Sequence, residues 1–198
     1  MDGTLIDSSE LLANTINYVR EKISLPALPQ QVILEAINDT SLNPARFFYN
    51  CDSFEEHHES YFLEYYHGHH HTQSRLYEGV GALLESLSGT HRLSVATNAY
   101  DVSAEPLLEA LGIADYFDYV VCGNQVPKAK PHPLMIERII DAYATDKKHF
   151  LMIGDSERDI LAAQNAGIDG LLVQWGFSEH PEAVQSVEEL KKRLGAAL

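Results

Sequence analysis

Thr97 and Asn98 follow the apolar run Leu93 to Ala96, so a hydroxyl and an amide stand where a strand opens into a loop and can hold phosphate oxygens. Asp155 and Asp159 follow a second apolar run, Phe150 to Ile153, within GDSERD. Carboxylate oxygens of this kind suit Mg2+, which keeps several waters and takes one or two protein carboxylates plus substrate phosphate. Between these sites lies PKAKPHP, where Lys130, held before Pro131, supplies a positive charge for a phosphate or a neighbouring carboxylate. Lys128 is the competing candidate. At the start of the chain, MDGTLIDSS sets Asp2 ahead of Gly-Thr-Leu, the look of a catalytic loop with no strand in front of it. Taken singly, these stretches have ordinary explanations, Thr-Asn as a strand end and Lys-Pro as a loop charge. Their joint occurrence at successive strand ends points to phosphoryl chemistry.

The elements that must position these groups can be read from apolar periodicity. Leu93 to Ala96, Tyr119 to Cys122, Phe150 to Ile153 and Leu171 to Val173 read as buried strands. Helical faces lie between them: Val80, Leu83, Leu84 and Leu87 before Gly89, then Leu107, Leu108 and Leu111 before Gly112, then Ile136, Ile139, Ile140 and Tyr143 after Pro133. Such alternation predicts a parallel sheet covered on both sides and joined by right-handed crossovers. Ligands of such sheets bind beyond the carboxyl ends of the strands, where the polar residues above lie.

Residues 10–75 lack a strand-like run and are too long for a loop, which predicts an all-helical insert. Leu12, Ile16, Val19 and Ile23 make one stripe, and Phe54, His58, Tyr61, Phe62 and Tyr65 another. LPALP at 25–29 and SLNPAR at 41–46 supply turns. The aromatic set Phe47, Phe48, Tyr49, Tyr61, Phe62, Tyr65 and Tyr66 is expected to form core rather than a substrate box. His67, His69, His70 and His71 cannot all face one ion from a regular helix, so a solvated segment is expected there. Asp7 and Ser8 are expected to cap the helix that follows.

Composition narrows the function classes. A formal net charge of -15 argues against nucleic acid and anionic membrane surfaces as partners. Cys51 and Cys122 fit no CxxC pattern and read as structural, in keeping with a reducing compartment. Lacking a membrane-length apolar run and a signal-peptide pattern, the chain reads as soluble and cytoplasmic.

DGTLIDS, VATN, KPHP and GDSERDILAAQNAGI together resemble the four ordered motifs of the haloacid dehalogenase-like hydrolase superfamily, especially its phosphoglycolate phosphatase-like branch. YEGVGALLESL, LGIADYFDYVVCG and VQWGF are similar to that branch as well. The resemblance covers nearly the whole chain. It implies an α/β, Rossmann-like core over residues 1–9 and 76–198, with residues 10–75 as an inserted all-helical cap that closes over the site and selects the leaving group.

In the family the first motif is DxDGT at the end of the central strand, and its leading aspartate is the nucleophile. Carried onto this chain, Asp2 matches the second aspartate, Met1 the intervening position, and the nucleophile falls just upstream of Met1. The first strand is therefore expected to lie upstream of Met1. The resemblance implies Asp2 as general acid and base, with Asp2 (through its carbonyl), Asp155 and Asp159 about the metal, the last from a supporting position. It also implies Thr97, Asn98 and Lys130 on the phosphoryl oxygens. The expected activity is Mg2+-dependent hydrolysis of a small phosphorylated metabolite through an aspartyl-phosphate. The first guess for substrate is 2-phosphoglycolate, ahead of nucleoside monophosphates and sugar phosphates, and the enzyme is expected as a monomer or homodimer. Two alternatives are a phosphosugar mutase of the same superfamily and a non-catalytic phosphate-binding pseudoenzyme.

Overall fold

The computed structural model describes residues 1–39, 41–177 and 182–196. The chain divides into two compact units, Met1–Asp7 with Leu76–Leu198, and Ser8–Arg75. In the larger unit the order is β1 (Ile6–Asp7), α5 (Val80–Ser88), β3 (Ser94–Thr97), α6 (Asp101–Ala110), β4 (Tyr119–Cys122), α7 (Leu134–Tyr143), β5 (Leu151–Gly154), α8 (Glu157–Ala166), β6 (Asp169–Leu172) and α9 (Val187–Ala196). The inserted unit contains α1 (Ser9–Lys22), α2 (Gln30–Asn38), α3 (Pro44–Tyr49) and α4 (Glu56–His69), and β2 (Arg75–Leu76) marks the return. The Tyr77 N–H donates to the Leu5 carbonyl at 3.1 Å, which sets the outgoing and returning chain of the larger unit side by side.

β3 pairs in parallel with β4, Ser94 opposite Tyr119 through Thr97 opposite Cys122. β5 pairs in parallel with β6, Leu151 opposite Asp169 through Gly154 opposite Leu172. Among the described residues these form separate two-stranded sheets, so β3 and β5 each keep one edge outside a ladder. Three of the four strands begin or end one or two residues away from the apolar runs. The reason is that the ladder depends on backbone groups, and so takes in the polar Thr97 and the side-chain-free Gly154 at the carboxyl ends. Burial also falls short of the fully buried strands expected: Leu151 is 42 % exposed and Tyr119 38 % exposed. A sheet two strands wide has no inner strand to shelter from water.

α7 ties the two pairs together. Its Met135 and Ile139 pack with Ala96 and Val121 of β3 and β4. Ile136 and Ile140, one residue further round the same apolar side, pack with Ala162, Ala163 and Ala166 of α8. The expected stripe is thus divided between two clusters, which the 3.6-residue turn allows because adjacent residues point about 100° apart.

The inserted unit buries Ala13, Ile16, Val19, Ile33, Ala36, Phe48 and Tyr49 as its core, with Phe47, Tyr61 and Phe62 packed against it. Its first turn is held by side chains. Asn17 both donates to the Leu28 carbonyl and accepts from the Leu28 N–H, and Arg20 donates to the carbonyls of Pro26 and Phe48. Three expectations are corrected. Phe54 precedes α4 and is 53 % exposed. Ser8 sits at the N-cap of α1 without a side-chain capping bond. His70 is buried, donating from Nδ1 to the carbonyls of Tyr66 and His67, so the histidine cluster is not wholly solvated.

His58 is buried at the start of α4, and its Nδ1 accepts the Glu55 N–H at 3.1 Å, closing a capping box. The neutral ring must therefore carry its proton on Nε2. Tyr49 stacks on the ring at 4.8 Å, His57 lies 4.2 Å away, and Cys51 Sγ is 4.0 Å from Nδ1. Burial, and then the like charge of His57, lower the His58 pKa below its ordinary 6.5, with Glu55 opposing. A group lowered in the fold takes up its proton more readily when unfolded, so the stability it lends is present above pH 6.5 and lost as pH falls below it. Thermal melts between pH 8 and pH 5 should show a falling Tm below about 6.5, with a smaller fall in His58→Gln; equal slopes in the two proteins would refute this.

Candidate active site

The sequence-predicted groups of the larger unit are connected through the ends of β3, β5 and β6 and the loop before α7. Thr97 is the last residue of β3 and is buried, and its hydroxyl oxygen accepts the Ala99 N–H at 3.2 Å. The Asn98 side chain clamps one backbone segment, donating to the Lys130 carbonyl at 2.9 Å and accepting the Lys130 N–H at 3.0 Å. Close approach here requires glycine opposite: a Cβ on Gly123 would lie 2.4 Å from the Asn98 carbonyl oxygen.

Held by that clamp, the Lys130 side chain turns inward. Its Nζ donates to the Ala96 carbonyl at 2.6 Å and to Asp159 Oδ1 at 2.6 Å, with both side chains of the ion pair under 10 % exposed. Lys128 is exposed, which decides between the two candidates. Asp159 Oδ2 accepts from Ser156 twice, from its N–H at 3.2 Å and its hydroxyl at 2.9 Å, so the same carboxylate caps α8. Burial works to raise the Asp159 pKa, yet the Lys130 charge and the bonds from Lys130 and Ser156 hold it below the usual carboxylate value.

Asp155 follows β5 and is 5 % exposed. The Thr4 hydroxyl donates to its Oδ1 at 3.0 Å and the Phe177 N–H to its Oδ2 at 3.2 Å. Both donors are neutral. Burial, followed by the nearby Asp159 charge, raises the Asp155 pKa, against the charge of the Met1 amino group and then the pull of these two bonds. The DGT loop wraps closely around it: Gly3 has φ +73°, and the Met1 carbonyl accepts the N–H groups of Thr4, Leu5 and Ile6 at 3.2, 2.8 and 3.2 Å. A Cβ on Gly3 would stand 2.2 Å from Asp155 Oδ2. One on Gly176 would stand 2.2 Å from Asp155 Cβ and 2.4 Å from the Gly3 carbonyl oxygen. Asp2 is half-buried at the head of this loop, where it forms a parallel bridge with Ile6.

A buried carboxylate among oxygen atoms, with a main-chain carbonyl close by, fits a hard cation such as Mg2+. No group of three or more histidine, cysteine, aspartate or glutamate side chains converges on one point among the described residues. Sequence reasoning singled out the carboxylates and missed several of their holders. Ser156 was signalled by the S-x-x-D spacing of a capping box. The Thr4 hydroxyl, Trp175 and Phe177 carried no local signal, because their roles arise from chain segments more than 150 residues apart or from a main-chain N–H.

The Lys130–Asp159 pair also supports a stability test. Lys130→Met leaves a buried carboxylate without its cation and should cost about 3–5 kcal/mol in urea unfolding. A loss under about 1 kcal/mol would mean that Asp159 is solvated or protonated instead.

The model of the haloacid dehalogenase-like hydrolase family matches residues 1–173. A phosphoglycolate phosphatase of Neisseria meningitidis is 32% identical over 190 residues, 90% of this chain and 80% of that protein. Among solved structures, a predicted phosphoglycolate phosphatase from Haemophilus somnus superposes with a TM-score of 0.82 at 25% identity, over 100% of this chain and 95% of that one. A predicted phosphatase from Clostridium acetobutylicum gives 0.83 at 25% identity, over 99% and 95%. With its motifs gathered at the strand ends and a helical unit inserted after the first of them, the chain belongs to the haloacid dehalogenase-like hydrolase family.

Proposed function

We propose that this protein is a Mg2+-dependent phosphatase acting on a small phosphorylated metabolite, with 2-phosphoglycolate the first candidate. The observation that carries the reading is the Asp155 carboxylate, buried after β5 and held by two neutral donors beside the DGT loop. The name of the Neisseria meningitidis relative supports the substrate. Asp155 and the Asp2 main chain would hold Mg2+, whose charge lets a phosphate and the site's carboxylates approach one another.

In this reading the Asp2 carboxyl donates a proton to the leaving alcohol and then takes one from the attacking water. An ammonium has three donors and Lys130 spends one on Ala96 and one on Asp159, which leaves a third for a phosphoryl oxygen. Asp159 acts on substrate only through Lys130. Thr97 offers its hydroxyl proton to another oxygen, while Asn98 serves by fixing the Lys130 main chain. The nucleophile of this reading is the aspartate that the DGT motif implies just ahead of Met1. The inserted helical unit serves as the cap.

The test is phosphate release from a panel of phosphorylated metabolites, with and without Mg2+. The chain as given is compared with one extended upstream from its genomic context, and with Asp155→Asn in the extended form. The extended chain should release phosphate only with Mg2+, fastest from 2-phosphoglycolate, and Asp155→Asn should reduce the rate at least about 100-fold. A folded, extended chain that releases none would overturn the reading; label moving between sugar phosphates would then identify a mutase, and phosphate binding alone a non-catalytic module.

A further inference from the structure

Trp175 is the single tryptophan of the chain, and its half-buried indole N–H donates to the Thr4 carbonyl at 3.0 Å. The loop that carries it is anchored by other bonds as well. Just before Trp175, the Val173 N–H donates to Gly154 and the Gln174 N–H to Val184, while the Val184 N–H returns to Leu172, all at 2.9 Å. Val173 and Val184 are fully buried. The indole bond is therefore a local contact added to an already anchored loop.

Its place in the local circuit is specific. From Asp155 Oδ1 the path runs to the Thr4 hydroxyl, through Thr4 to its carbonyl, across to the Trp175 indole, along Gly176 to the Phe177 N–H, and back to Asp155 Oδ2. The circuit closes on both oxygens of one carboxylate. Gly176 lies within it and Gly3 just ahead of Thr4, and neither has room for a Cβ. A rigid ring of this kind fixes the rotation of the Asp155 carboxylate, and carboxylate orientation governs how a cation is held.

We propose that Trp175 is a positioning residue for the Asp155 carboxylate, acting through Thr4. The proposal rests on the reading of Asp155 as the metal-holding group, and the test separates the two.

In the metal-free protein the sole indole gives one N–H resonance, whose hydrogen exchange can be followed by NMR. If the ring is a unit, Thr4→Val should speed that exchange at least about threefold and Thr4→Ser should restore it, because serine keeps the hydroxyl. Asp155→Asn, which changes the other end, should also alter the rate and serves if Thr4→Val does not fold. Titration with MgCl2 by calorimetry should then give about three- to tenfold weaker binding in Trp175→Phe, which keeps an aromatic ring but removes the five-membered ring that carries the N–H. Indole exchange that ignores both Thr4 and Asp155, or unchanged Mg2+ affinity in Trp175→Phe, would overturn the proposal. Coupled exchange in an upstream-extended wild-type chain that takes up no Mg2+ would uphold Trp175 as the holder of Asp155 and refute the metal reading instead.

Discussion

The buried pair of Lys130 and Asp159 is the contact on which the site's arrangement depends. Its cation reaches the last carbonyls of β3 through Ala96, and its anion starts α8 through Ser156. Without it, the two parallel strand pairs would be joined in this region chiefly by apolar packing. A pair buried this deeply contributes less to net stability than its 2.6 Å separation suggests, since both charges lose water in forming it. What it supplies is register: one amine, fixed by a main-chain carbonyl and a carboxylate on a backbone gripped by an amide clamp, sets where β3 ends relative to where α8 begins.

Apolar packing performs the coarser part of that task. α7 gives Met135 and Ile139 to one strand pair and Ile136 and Ile140 to the helix over the other, so a single ten-residue helix spans both clusters. Dispersion and burial bring the layers together without choosing among small rotations. The directional bonds of Asn98, Lys130, Ser156 and Thr4 then select one arrangement.

Much of this was legible in the sequence. Four apolar runs alternating with helical stripes gave the parallel α/β reading, and all four lie within one or two residues of the observed strands. Asp155 and Asp159 were legible because both stand in GDSERD directly after a strand-like apolar run, a local pattern. The choice between Lys130 and Lys128 was not, since it turns on which side chain points inward once Asn98 has gripped the backbone. Trp175 and Thr4 lie 171 positions apart, and no periodicity links them. The His67 to His71 stretch misled because composition suggests solvation, whereas His70 finds two carbonyl partners of its own helix and is buried.

The hydrogen bond between Tyr77 and Leu5 has a consequence for how such a protein can diversify. Where the outgoing and returning chains already touch, the intervening 68 residues, Ser8–Arg75, form a closed excursion whose length barely enters the conformational cost of the framework. Loop-closure entropy grows only as the logarithm of length, so doubling the excursion would cost about 0.6 kcal/mol. The helical segment can thus be exchanged, enlarged or trimmed over generations at little conformational cost to the larger unit, a graft point in the chain.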